Sequence, residues 1–244
     1  MPSLVACVDY DNVEINLRSA GPVSLAKVLV TAFPSRLLNQ YDSIDFRLYG
    51  GWRNQNALTH VAQRMIPDIR MNSPTIVSNL RHGSLASTKL EVSLADAPIG
   101  WPTPLAESLV RERSIRNFWA VAAGPPECRA PTSCGMAAFR NIRNTTTCSD
   151  SACTTQLGDF LVRDEQKMVD TLIVTDMAYI AYARKSPDLV LISSDNDMWP
   201  GVLVAVRAGC FVTHLHTKQG RKTPKHLLQS LGGPLEKYYM QVHI

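Results

Sequence analysis

Short apolar segments alternate with amphipathic helical segments along much of this chain, and this alternation limits its fold more than any other feature. Strands are predicted at 4–8, 44–49, 189–193 and 211–215, and helices at 24–38, 55–66, 168–184, 200–208 and 223–231. Pro34 is expected to break or kink the first of these helices. Short buried strands separated by helices are typical of a largely parallel sheet covered on both faces. The sequence therefore predicts an α/β fold.

The rhythm of strands and helices is lost between residues 73 and 157. Prolines interrupt this stretch, and only the runs at 89–95 and 118–122 look like strands. A chain of 244 residues is long enough for one well-packed domain that carries a sizeable insertion. We therefore expect a single domain over 1–244, with 73–157 as an insertion that extends the sheet.

Charge and hydropathy indicate a globular protein rather than a membrane protein. The formal net charge is only +4, which is too mild to argue for a nucleic-acid partner by itself. The first residues carry no basic segment of the kind that opens a signal peptide, and no apolar stretch reaches transmembrane length. The expectation is a cytoplasmic protein without a membrane partner.

Acidic residues follow two of the predicted strands and lie at the start of one helix. Asp9, Asp11 and Asn12 come directly after the first strand, and Asp195 and Asp197 follow the strand at 189–193. In an open parallel sheet, ligands bind beyond the carboxyl ends of the strands. Asp170, near the start of the helix at 168–184, is expected to face the same edge. Each acid alone could equally be a turn former or a helix cap, but carboxylates brought together repel one another unless a cation compensates. Ligands that are all oxygen favour Mg²⁺ or Mn²⁺ over zinc.

The motifs Val-Asp-Tyr-Asp-Asn-Val, Lys-Met-Val-Asp and Ile-Ser-Ser-Asp-Asn-Asp-Met-Trp-Pro resemble those of NYN domains in the PIN-like nuclease superfamily. The resemblance covers roughly 1–66 and 160–217. It implies a Rossmann-like (PIN-like) three-layer sandwich. Two residues depart from the family pattern, because Ser194 stands where glycine is usual and Met198 where an aromatic residue is usual.

The resemblance also implies an activity and a set of site residues. The activity is that of a metal-dependent ribonuclease, with endonuclease action expected, that hydrolyses single-stranded RNA to a 5′-phosphate and a 3′-hydroxyl. The metal ligands would be four carboxylates, and Asn12 would support the metal or the scissile phosphate. These four residues are Asp9, Asp170, Asp195 and Asp197. Asp176 matches a further acidic position, but at six residues from Asp170 it lies about 120° around the helix from it, which makes Asp176 the doubtful member.

Four of the six cysteines are crowded into one polar stretch of the insertion. Their pattern is two loop pairs with five and four intervening residues, Cys128 with Cys134 and Cys148 with Cys153. Two such pairs suit a tetrahedral structural zinc, so a zinc-binding lobe is predicted at 125–157. Free or disulfide-capable cysteines are the alternative. Arg140 and Arg143 lie in this lobe and could grip an RNA backbone, although a solvated surface knob explains them nearly as well.

A second basic group follows the strand at 211–215. Lys218, Arg221 and Lys222 lie close to the proposed edge and could contact phosphates, or they could belong to a solvated loop. RNA is the expected partner, and the sequence leaves a homodimer open.

Two rival functions remain open from the sequence. Asp9-Tyr10-Asp11-Asn12-Val13 also fits the Asp-x-Asp-x-Val nucleophile motif of haloacid-dehalogenase-like phosphatases, in which Asp9 would be a covalent nucleophile. The other rival is a non-catalytic RNA-binding module that keeps the fold. The nuclease is preferred over the phosphatase because Lys-Met-Val-Asp has no role in the phosphatase pattern.

Overall fold

The structure is a computed structural model, and it describes residues 3–54, 56–81, 84–101, 103–105, 110–114, 146–147, 152–154, 156–157 and 162–244. The chain divides into two compact units. The first comprises Met1–Val110 and Gln166–Ile244, and the second comprises Arg111–Glu165.

Strands and helices both occur throughout the first unit, in places as runs of two or three of one kind. The elements of the amino-terminal part are β1 (Leu4–Asp9), a 3-10 turn (Tyr10–Asn12), α1 (Ile15–Arg18), α2 (Pro22–Thr31), α3 (Ser35–Gln40), β2 (Ser43–Tyr49), β3 (Arg53–Asn54), β4 (Ala57–Leu58), α4 (His60–Asn72), β5 (Thr75–Arg81) and β6 (Ser84–Leu94). The later elements are β7 (Val110–Ser114), β8 (Val162–Gln166), α5 (Val169–Tyr182), β9 (Asp188–Ile192), α6 (Trp199–Arg207), β10 (Phe211–His216), α7 (Lys225–Ser230), a 3-10 helix (Gly233–Tyr238) and β11 (Tyr239–His243).

The central sheet of the first unit has seven strands in the order β11-β10-β9-β1-β2-β6-β5. Neighbouring strands are parallel throughout, except that β5 and β6 pair antiparallel. Every residue of β1 and of β9 is buried, as expected for central strands covered on both faces. The predicted α/β class with a mainly parallel sheet is confirmed.

The register of the sheet brings several strand ends to one edge. Asp9, the last residue of β1, lies opposite Tyr49 of β2, and Val8 lies opposite Ile192 of β9. Leu215 of β10 is in turn opposite Ile192. The segments that leave β1, β9 and β10 therefore start side by side.

Two helix predictions had different outcomes. Pro34 does interrupt the first predicted helix, because α2 ends at Thr31 and α3 begins at Ser35. The helix predicted at 55–66 is wrong in its start, since β3 and β4 pair antiparallel there and α4 begins only at His60. Thr59 caps α4, its hydroxyl accepting a hydrogen bond from the backbone N–H of Ala62 at 3.4 Å.

The second unit, Arg111–Glu165, begins later in the sequence than the insertion predicted at 73–157, because β5 and β6 belong to the central sheet of the first unit. Its described residues include most of β7 and β8 and an antiparallel bridge between Thr147 and Gln156. The strand predicted at 118–122 and most of the predicted zinc lobe lie outside the described residues. In the described part of the chain, no helix is long and apolar enough to cross a membrane.

Gly201 marks a close approach of α6 to α5. A Cβ at this position would stand 2.8 Å from Met177 Sδ and 3.3 Å from Val174 Cα. Met177 is fully buried, so its side chain has little room to move away. The two helices can therefore touch only because residue 201 has no side chain.

We predict that Gly201→Ala lowers the free energy of unfolding by about 1 kcal/mol, measured by urea denaturation. Overpacking a core costs about 1–3 kcal/mol, and the better helix propensity of alanine offsets about 1 kcal/mol of this cost. The control is Gly233→Ala, where a Cβ would meet nothing within 4 Å. Equal stability of the Gly201→Ala variant and the wild type would contradict the close approach.

Candidate functional site

Asp9 ends the central strand β1 and is only 3% exposed. Its Oδ2 accepts two hydrogen bonds, from Ser193 Oγ at 2.7 Å and from Asn12 Nδ2 at 2.8 Å. Burial raises the pKa of the Asp9 carboxyl, the two hydrogen bonds lower it, and the charges of Asp11 and Asp195 raise it further. The carboxylate is thus held in place by neighbours from two strand ends.

Asn12 connects Asp9 to the segment after β9. Its Nδ2 also lies 3.4 Å from Asp195 Oδ2, so one amide nitrogen is shared between two carboxylates. The amide oxygen of Asn12 accepts a hydrogen bond of 2.6 Å from Lys218 Nζ. The structure therefore places Asn12 where the sequence predicted an auxiliary site residue, between two acids and one cation.

The loop that follows β9 is shaped by the hydroxyls of two serines. Ser193 Oγ accepts a hydrogen bond from Asp195 N at 3.0 Å, and Asp195 Oδ1 accepts one from Asp197 N at 3.2 Å. Ser194 Oγ accepts hydrogen bonds from the backbone N–H groups of Thr217 and Lys218, at 3.2 and 3.1 Å. The departure from glycine at Ser194 therefore has a structural role, because its side chain ties this loop to the segment after β10.

Asp170 lies in the first turn of α5 and interacts with the acids after β1 and β9. Partial burial and the charges of Asp9, Asp195 and Asp197, in that order, raise its pKa to about 6. The four predicted ligands thus influence one another electrostatically. Among the described residues, no three His, Cys, Asp or Glu side chains are already arranged to hold a metal ion.

Asp176 is not part of this group. It is fully buried, its Oδ1 accepts a hydrogen bond from Ile99 N at 2.7 Å, and its Oδ2 accepts one from the Tyr49 hydroxyl at 2.7 Å. Arg47 Nη2 also donates to Oδ2 at 3.0 Å. Both oxygens are occupied by protein donors, which assigns Asp176 a structural role. The doubt that the helical spacing raised about this residue is justified by these contacts.

Asp11, the other doubtful acid, contacts a different set of groups. Arg18 Nη1 lies 3.4 Å from its Oδ1, and Gly51 N donates to its Oδ2 at 3.3 Å. Its charge still contributes to the raised pKa of Asp9. Asp11 therefore contacts Arg18 and Gly51 and lies within electrostatic range of Asp9.

No protein-family model matches this chain, and no curated protein or solved structure matches it significantly. The resemblance to NYN domains therefore rests on the motif residues alone.

The basic residues predicted to contact RNA fall into two groups. Lys218 donates to Asn12, and Arg221 Nε donates to the backbone oxygen of Ser194 at 3.2 Å, so both border the acids. Lys222 is exposed next to Arg221. Arg140 and Arg143 lie outside the described residues, as do Cys128, Cys134 and Cys148, and Cys153 is half-buried.

Ser193 is a site residue that the sequence analysis did not identify. A serine directly after a buried strand resembles many turn residues, and only its position one residue beyond the end of β9 could have drawn notice. Its hydroxyl bridges Asp9 and the backbone of Asp195. It is therefore central to how the two acidic segments meet.

Two buried histidines of β10 lie near this loop, and His214 contacts it directly. His214 Nε2 lies 3.0 Å from the backbone oxygen of Ser193, and its Nδ1 lies 2.9 Å from the Tyr239 hydroxyl. Burial, followed by the charge of His216, lowers the pKa of His214 to about 3. Burial, followed by the charges of His243 and Arg221, lowers that of His216 to about 4.

We predict that the protein loses stability on acidification below about pH 6.5, the pKa of an unfolded histidine. Below this pH the histidines bind protons in the unfolded chain but stay neutral in the folded protein. The free energy of unfolding therefore falls by about 1.4 kcal/mol per pH unit for each buried histidine, until its folded pKa is reached. In urea denaturation between about pH 7 and 5, His216→Gln should weaken this dependence by up to that slope. Exposed His226 supplies the control, and His226→Gln should leave the dependence unchanged. An unaltered dependence in His216→Gln would count against a buried neutral His216.

Proposed function

We propose that this chain is a metal-dependent ribonuclease that hydrolyses phosphodiester bonds of single-stranded RNA. The observation that carries the proposal is the shared hydrogen-bond donor: Asn12 Nδ2 lies 2.8 Å from Asp9 and 3.4 Å from Asp195. Asp170 responds to the charges of both acids. Three separate chain segments thus bring carboxylates to one edge of a parallel sheet, where ligands of open α/β folds bind.

The chemistry of these side chains fits a hard divalent cation. Carboxylates whose pKa values are raised by burial and by one another gain from a cation between them. The candidate donors are oxygens of Asp9, Asp170, Asp195 and Asp197, with no histidine or cysteine among them, which favours Mg²⁺ or Mn²⁺. A bound metal would polarise a phosphate and lower the pKa of a water molecule.

The residues around the acids would bind the phosphate and hold the metal ligands in position. Lys218, 2.6 Å from Asn12, carries the positive charge nearest to the shared donor and would contact the scissile phosphate. Asn12 would orient Asp9 and Asp195 by donating to both. Ser193 and Ser194 would fix the loop that presents Asp195 and Asp197. The products would be a 5′-phosphate and a 3′-hydroxyl, as the resemblance implies.

RNA as the substrate is supported by the NYN resemblance together with the cations at the site. Arg221 and Lys222 continue the positive surface beyond Lys218 and would contact neighbouring phosphates. Arg140 and Arg143, with a structural zinc held by Cys128, Cys134, Cys148 and Cys153, complete the proposal for the second unit. Elemental analysis tests this part separately, with one zinc per chain as the expected result.

The phosphatase alternative gives Asp9 a different chemical role. Its carboxylate would attack the phosphorus atom and form a covalent intermediate, whereas in the nuclease it only holds metal. Beryllofluoride traps such a nucleophile and should not bind here. A non-catalytic RNA-binding module would bind RNA equally well without metal and after Asp195→Asn.

We predict that Asp9→Asn and Asp195→Asn each reduce Mn²⁺-dependent cleavage of a labelled single-stranded RNA by about a hundredfold or more. Each substitution keeps the size of the side chain but removes a charge that the metal needs. Thermal unfolding should show that both variants remain folded, because an amide is less costly to bury than a carboxylate.

The matched control is Glu236→Gln, which makes the same chemical change at an exposed residue of the 3-10 helix near the carboxyl terminus. It should cleave at the wild-type rate. If wild-type protein leaves the RNA intact with Mn²⁺, or both aspartate variants cleave normally, the proposal fails.

We also predict that Lys218→Gln lowers kcat about tenfold or more while changing KM much less. The lysine donates to Asn12, which in turn donates to two of the acids, so its charge should matter more in the transition state than in substrate binding. Lys218→Arg should restore part of the rate. Lys27→Gln, an exposed change in α2, serves as the control. A larger effect on KM than on kcat would instead assign Lys218 to RNA binding.

A further inference from the structure

A groove of about 460 Å³ lies away from the acidic edge, on one face of the central sheet. Its floor is formed by alternate residues of β2 and β6, including Asp45, Arg47, Glu91 and Ser93, which the parallel register places side by side. The last turn of α4 and the segment after α5 contribute Arg70 and Arg184. None of the acids of the candidate active site lines this groove.

The groove has more positive than negative charge. Among the residues that the structure describes, four cationic side chains and two carboxylates line it: Arg47, Arg70, Lys89, Arg184, Asp45 and Glu91. Two of the cations already have partners, since Lys89 forms an ion pair with Glu91, and Arg47 forms one with buried Asp176. The balance remains positive even when Asp176 is counted against Arg47.

Arg70 and Arg184 are the two cations that remain. Neither guanidinium forms a hydrogen bond or an ion pair with any residue in the part of the chain that the structure describes. The charge of Arg184 does act on half-buried Asp45. Both arginines are exposed, come from separate elements and line one concave surface. Guanidinium groups supply the paired N–H donors that bind an oxyanion.

We propose that this groove binds a phosphate group through Arg70 and Arg184. A phosphate accepts several hydrogen bonds from guanidinium groups, and Ser73 and Ser93 add hydroxyls to the same lining. None of the described residues that line the groove is aromatic, so recognition rests on the phosphate rather than on base stacking. The volume exceeds that of one phosphate and accommodates the rest of a phosphorylated ligand. That phosphate belongs either to a small molecule or to a nucleic-acid backbone, and binding at this groove is independent of catalysis.

Isothermal titration calorimetry with pyrophosphate tests the proposal on the full chain, with a chelator present to keep metal out of the acidic site. Wild-type protein should bind pyrophosphate, and the affinity of the double variant Arg70→Gln/Arg184→Gln should be lower by a factor of about ten or more. Arg207→Gln, the same change at an exposed arginine of α6 outside the groove, should bind like wild type. Arg70→Lys/Arg184→Lys keeps both charges and should retain part of the affinity, while circular dichroism checks that each variant is folded.

A second titration, with a single-stranded 2′-O-methyl oligonucleotide, distinguishes the sources of the phosphate. If the double variant weakens both titrations, the groove holds a nucleic-acid backbone. If it weakens only the pyrophosphate titration, the ligand is a small phosphorylated molecule. The proposal is overturned if wild-type protein does not bind pyrophosphate in the millimolar range, or if the folded double variant binds it as tightly as wild type. Neither titration measures cleavage, so failure of the ribonuclease proposal would be seen separately.

Discussion

The hydrogen bond between Ser193 Oγ and Asp9 Oδ2, 2.7 Å long, joins the ends of β1 and β9, and the rest of the acidic site depends on it. The parallel register places these ends side by side, because Val8 lies opposite Ile192. Close packing of both strands on both faces fixes that register, since a slip would exchange side chains of different size between the two packed faces. The position of Asp195 follows, because its backbone N–H donates to the same Ser193 hydroxyl.

Bringing carboxylates together at this edge has an energetic cost that the surrounding residues only partly offset. Burial and neighbouring charges raise the pKa of Asp9, while Ser193 and Asn12 oppose the shift by donating hydrogen bonds. Asp170 has no such donor among the causes of its shift, and its pKa rises to about 6. Residual repulsion of this kind is what a divalent cation would relieve, so the same geometry that costs stability would favour metal binding. Lys218 supplies part of that compensation through Asn12.

The sequence predicts the elements whose apolar pattern is continuous, and it fails where pairing partners are distant. β1, β2, β9 and β10 were placed within one residue at each end, because β1 and β9 are largely apolar runs and β2 alternates apolar with polar residues. β5 alternates exposed and half-buried residues and pairs only with β6, so its pattern resembles that of a loop. In the site, the acids were recognisable because they follow buried strands. The role of Ser193 and the charged groove were not recognisable from the sequence, since both depend on which side chains meet across the sheet. The zinc lobe and the RNA substrate remain predictions.

The contrast between Asp170 and Asp176, on one helix, explains how α5 can serve the site. Asp176 points into the core, where Tyr49 and Arg47 of β2 donate to it, and this buried ion pair fastens the middle of α5 to the sheet. Removing one partner would leave a buried charge uncompensated, so the contact strongly constrains where the helix lies. A helix fixed at its middle has a fixed first turn, and that turn carries Asp170 towards Asp9 and Asp195. Asp176 therefore helps to position Asp170, although only Asp170 belongs to the proposed metal site.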